Sequence, residues 1–196
     1  MDKFKKNLDD LFERFDLCNK LIVKYETKSS AGVAASVYQI RNAFSHFVGA
    51  YRKEDQGQPD DKIEEAFEQS CSHLNRAIHD LAELCILKAI ERLDKGVRFV
   101  LPKTISEAYP KYYEDYNSLI DYREKLEIYK VTKSSAISDL KAVTELAEEA
   151  LKIRETFDRN VKLMRKMSKR HLIYATCGFL ATAGVTALIT YFCTKG

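Results

Sequence analysis

The chain has 196 residues, 31% of them charged, with only seven Gly, three Pro and no Trp, and its formal net charge is +3. This composition suits long amphipathic helices and argues against a sheet protein. The modest positive excess does not single out a nucleic-acid binder, because much of it is concentrated just before residue 171. Cys18, Cys71, Cys85, Cys177 and Cys193 show no CxxC or Cys/His ligand spacing, so neither a metal site nor a disulfide framework nor a cofactor is expected.

In chain order, Phe4, Leu8, Leu11, Phe15, Cys18, Ile22 and Tyr25 recur at spacings of four and three, which predicts a first helix of about 25 residues. Ser29 or Ser30 can cap a second, striped by Val33, Val37, Ile40, Phe44, Phe47 and Tyr51. The charged stretch KEDQGQPDD reads as a loop. Asp60 or Asp61 then starts a long third helix with the stripe Ile63, Phe67, Cys71, Leu74, Ile78, Leu81 and Cys85, ended at about Lys95 by Gly96. Pro102 and Pro110 mark the stretch from Gly96 to Pro110 as irregular or extended. A tyrosine-rich helix follows, its rings expected to pack rather than to stack on bases. Ser134 and Ser135 can cap a last helix in which Val143, Leu146, Ala150, Ile153, Phe157, Asn160, Met164 and Met167 keep a heptad register. That seam suggests self-association.

From Leu172 to Cys193 the sequence carries no formal charge. A helix of that length rises roughly 33 Å, enough to cross a hydrocarbon core of about 30 Å. Lys162, Arg165, Lys166, Lys169 and Arg170 precede it, and by the positive-inside rule they place the preceding chain in the cytoplasm. A single-pass tail anchor in the inner (cytoplasmic) membrane is expected, since nothing like a signal or transit sequence opens the chain at MDKFKKNLDD. Unbroken register between the heptads and the anchor predicts one rod of about 59 residues. Within the anchor, Thr182, Thr186 and Thr190 share a hydroxyl-bearing face. Gly178, Ala181, Gly184 and Ala187 form a small-residue face of the kind that lets membrane helices approach. Together these suit either a ring of spans around a wet pore or a plain tether whose threonines bond their own backbone. The organisation expected is a helical bundle over 1–133, an amphipathic linker helix over 134–171 and a span over 172–193.

The second helix also contains IRNAFSHF. Arg41 can hold a phosphate and the imidazole of His46 can move protons for a ribose hydroxyl without a metal. Residues five apart on one helix diverge by about 140°, so the pair converges only if the helix breaks or a second copy completes the site. Arg76 and His79 lie too close together for the same pattern.

The RNxxxH string at Arg41, Asn42 and His46, set among long helices, resembles the HEPN superfamily, whose ribonucleases carry an arginine and a histidine at this spacing. A HEPN-like bundle joined to one membrane span is similar to the small membrane accessory proteins of type VI-B CRISPR systems. The resemblance implies an all-α bundle, a homo-oligomer in a lipid bilayer, and an antiviral pore that permeabilises or depolarises the membrane. An RNA-guided CRISPR nuclease, or RNA, is the partner it implies. The competing expectations are a membrane-tethered, metal-independent endoribonuclease using Arg41 and His46, and an inert tail-anchored scaffold.

Overall fold

A computed structural model describes residues 2–26, 33–132 and 135–195, with side chains described over 3–25, 33–132 and 135–187. The described residues form six α-helices and no strand. These are α1 (Asp2–Glu26), α2 (Ala34–Asp55), α3 (Asp60–Val97), α4 (Pro102–Ala108), α5 (Tyr112–Val131) and α6 (Ile137–Lys195). The all-α expectation holds.

The axis of the bundle is α3, which packs against α1, α2, α5 and α6. Its expected stripe is buried from Ile63 to Cys85 except at half-buried Cys71, and burial continues through Ile86, Ala89 and Leu93. Lys3 Nζ donates to Glu64 at 2.7 Å and Arg14 Nη1 to Asn75 at 2.5 Å, both across 61 residues, so α1 and α3 run parallel in one register. The hairpin partner α2 runs the other way: Ser70 Oγ donates to the Ala43 carbonyl at 2.7 Å and Lys53 Nζ to the Lys62 carbonyl at 3.1 Å. Their connection is tighter than the charged stretch suggested. Gly57 takes a φ of +64°, with Gly57 N–H bonding Glu54 O and Gln58 N–H bonding Lys53 O, a Schellman closure that lets α2 reach Asp55. The Ser29 or Ser30 cap falls on 27–32 and the Ser134 cap on 133–134, outside the described residues.

Three expectations are corrected. Gly96 does not end α3. It lies inside the helix and buried, and a Cβ there would stand 2.1 Å from Phe157 Cζ, so the glycine leaves α3 room for the Phe157 ring of α6. The stretch expected to be irregular contains α4, with Pro102 in its first turn, where a missing N–H costs nothing. Third, the heptad seam of α6 is spent inside the chain. Val143, Ala150, Phe157 and Met164 are fully buried in the bundle, and Asn160 donates to its own helix at Thr156 O, 2.8 Å away. A 3.5-residue repeat marks one buried face without saying which helices cover it.

Most of the tyrosines over 109–129 pack against the core, Tyr113 being the exception at 52% exposed. Tyr109 and Tyr112 are buried against Phe157 at ring separations of 6.4 and 6.3 Å, and the Tyr109 hydroxyl donates to Asp115. The final helix is one uninterrupted element of 59 residues, about 88 Å long, so the expected rod is present without a break at Lys169 to His171.

Among the described residues no helix is long and apolar enough to cross a membrane. The span expected over 172–193 is therefore not found there. Leu188–Cys193 of that stretch, Thr190 included, lies outside the described side chains, which end at Ala187.

Candidate functional site

The RNxxxH residues ride on α2, which is helical throughout Ala34–Asp55. Without a break, Arg41 and His46 point about 140° apart. Arg41 is exposed, its guanidinium 4.7 Å from the centroid of the Tyr38 ring. His46 is half-buried toward α3, stacked on His73 with ring centroids 5.2 Å apart and planes 15° from parallel. Asn42, also half-buried, stands between them in sequence. One chain does not bring the arginine and the histidine to a common point.

His46 has instead a partner that the sequence did not reveal. His73 Nδ1 lies 2.7 Å from Gln39 Oε1; with that oxygen accepting, the proton sits on Nδ1. Burial, then the neighbouring His46, then Arg76 push the His73 pKa below its ordinary value. A folded-state pKa below the unfolded one means that the unfolded chain takes up the proton first. The stabilisation is present above about pH 6.5 and is lost as pH falls through the folded value. Replacing His73 by Gln should therefore flatten the stability loss between about pH 7 and pH 5, measured by urea midpoints, relative to the parent chain. An unchanged pH slope would count against the stacked pair.

A polar cleft of about 740 Å³ opens between α1 and α3 and is lined by Asp10, Arg14, Cys71, Asn75, Arg76 and His79 among others. Arg14 is only 7% exposed. Its guanidinium donates to Asp10, to Asn75 Oδ1 and to the Ser135 carbonyl, tying α1, α3 and the approach to α6 at one point. Carboxylates and cations are mixed along the walls, which gives the cleft no net preference for an anion. Burial pushes the Cys71 thiol up to about 11 and the Cys18 and Cys85 thiols up to about 12, so none is poised as a thiolate. Among the described residues no group of three or more His, Cys, Asp or Glu could hold a metal ion. Arg14 was missed because its one sequence signal, Asp10 four residues earlier, looks like an ordinary surface pair.

On the other side, α1 and α2 leave an apolar groove of about 440 Å³ lined by Phe12, Phe15, Val37, Ile40, Phe44 and Phe47, with Arg41 also on its wall. Phe12, Val37 and Phe44 are more than half exposed.

At the far end of α6, Lys162, Arg165, Lys166, Lys169 and Arg170 are all exposed. Every residue from Leu172 to Ala187 is exposed as well, on all sides of the helix. Thr182 Oγ1 donates to Gly178 O and Thr186 Oγ1 to Thr182 O, both at 2.9 Å, so these hydroxyl protons are held by the helix itself. Ala181 is exposed beside them, and a Cβ at Gly178 or Gly184 would meet nothing within 4 Å. No family model, curated protein or solved structure matches this chain, and what the described residues show is an all-helical fold of six helices.

Proposed function

We propose that this chain is a membrane-anchored, HEPN-like effector of antiviral defence. Its bundle stands on the cytoplasmic face of the inner membrane, held by a span over 172–193, and copies assemble to permeabilise the bilayer. The observation that carries the reading is the uncovered apolar helix. Leu172, Ile173, Phe179, Leu180 and Val185 are exposed around α6 beyond the bundle. Burying a large apolar side chain is worth about 1.5–3 kcal/mol, so five left in water call for a cover. An uncharged run that continues in sequence to Cys193 behind five exposed cations fits lipid as that cover.

Assembly is supported by the bare small-residue surface at Gly178, Ala181 and Gly184. Val143, Ala150, Phe157 and Met164 of the α6 heptads lend it nothing, being buried within one chain. The defence role, and an RNA-guided CRISPR nuclease or RNA as partner, rest on the resemblance of Arg41, Asn42 and His46 and of the architecture. A ribonuclease built on Arg41 and His46 needs two chains to supply one site, because α2 separates them by about 140°.

The test is dye release from sealed vesicles by the purified full-length chain. Release is expected for the parent protein and should drop when Thr182 and Thr186 are both changed to Val, while His46→Ala leaves it intact. Membrane-bound protein that releases no dye would reduce the span to a tether. Cleavage of RNA lost in His46→Ala would instead favour the nuclease.

A further inference from the structure

The turn between α3 and α4 is an unexplained surface. Phe99 is 88% exposed and Leu101 46% exposed. Arg98 and Lys103 flank them, both exposed, with the Arg98 guanidinium 5.6 Å from the Phe99 ring centroid. Such an apolar tip inside a cationic collar is costly in water, and among the described residues no helix covers it.

Its position in the fold says what it faces. The ion pair of Arg92 with Asp158 at 2.6 Å and the contact of Gly96 with Phe157 and Val161 bring the end of α3 alongside the second half of the bundle portion of α6. Asn75 of α3 and Ser135 just before α6 meet at Arg14, whereas Gly96 meets Val161, so α3 and α6 run parallel and α3 ends pointing the way the apolar stretch leaves. Thr104 Oγ1 then lies 2.8 Å from His171 Nδ1, which pins the start of α4 to the residue immediately before Leu172. The turn thus sits level with the point where charge stops on α6, a stretch that also carries exposed Lys166, Lys169 and Arg170. Glu107, 3.8 Å from both Lys103 Nζ and His171 Nε2, is a carboxylate at this end and is shared between those two side chains.

We propose that the turn over 98–103 is a second membrane contact. Phe99 and Leu101 enter the headgroup and upper acyl region of the same bilayer, and Arg98 and Lys103 pair with anionic lipid phosphates. The physics is that of interfacial anchoring, in which a ring buries its body in the boundary layer while long cationic side chains reach the surface charge. The contact rests on the span reading above and adds to it: two attachment points fix the tilt of the bundle on the membrane, where a span alone leaves it free to lean.

The absence of Trp makes the test direct. Phe99→Trp in the full chain is a single-tryptophan reporter, with Tyr51→Trp, at the opposite end of the bundle, as its control. Each is mixed with vesicles of phosphatidylcholine, alone or in equal parts with phosphatidylglycerol, carrying acyl chains brominated near the headgroup. The Phe99→Trp emission should shift to the blue and lose intensity to bromine, more so with phosphatidylglycerol, while the Tyr51→Trp emission stays put. Co-flotation of the chain with unquenched Phe99→Trp emission overturns the contact and leaves the span standing. Failure to co-float overturns both. Quenching that is equal in the two lipids overturns the role given to Arg98 and Lys103.

Discussion

Replacing Phe157 by Ala is expected to cost about 3–5 kcal/mol of stability, the range for losing a fully buried ring. Phe157 has no exposed surface; its ring packs against Tyr109 and Tyr112, lies 5.8 Å below the Arg92 guanidinium and fills the space that Gly96 leaves open. Three helices, α3, α5 and α6, and the connection between α4 and α5 lose a common contact when it goes. Gly96→Ala pushes a methyl group into the same ring and should cost about 1–3 kcal/mol. The double variant should be less damaging than the sum, because the new methyl enters the cavity the ring vacated. Urea unfolding of the full chain in detergent, followed by circular dichroism, measures all three. A Phe157→Ala cost under about 1 kcal/mol, or strict additivity, would mean that Gly96 and Phe157 do not meet.

The second large effect concerns the membrane. Leu180 and Val185 lie near the middle of the uncharged stretch, 63% and 57% exposed, beyond the bundle. Arginine at the centre of a span costs about 2.5–3.5 kcal/mol, so Leu180→Arg combined with Val185→Arg removes roughly 5–7 kcal/mol from insertion. A loss of that size moves a partition equilibrium by about four to five orders of magnitude. The doubly substituted chain should leave the alkaline-washed membrane pellet, whereas its bundle should unfold at the parent urea midpoint, since neither side chain belongs to the core. Retention in the pellet would sink the span.

Much of the bundle was legible because its helices carry long single stripes. Those of α1 and α3 ran on for twenty residues or so, and the rod of α6 lacked both Gly and Pro as far as Gly178. What failed was information held elsewhere in the chain. Gly96 looked like a stop because a helix-ending glycine and a close-packing glycine are the same letter; only Phe157, opposite it in space, tells them apart. Likewise the α6 heptads announced a seam, and the covering helices turned out to be the chain's own α3, α1, α4 and α5. At the candidate site, the divergence of Arg41 from His46 followed from helix geometry alone. The stacking of His46 on His73 did not, because it depends on how α2 and α3 are paired in register.

Because α6 has no joint, the bundle and the apolar stretch share one angular phase. Met164, fully buried under the bundle, and Thr182 stand about five whole turns apart, so they point the same way, as do Ala150 and Thr186 about ten turns apart. The hydroxyl line therefore runs down the side of the rod over which the bundle overhangs. In any ring of copies whose threonines faced a common axis, the bundles would crowd above that axis instead of splaying outward, and any opening there would lie under a roof of bundles.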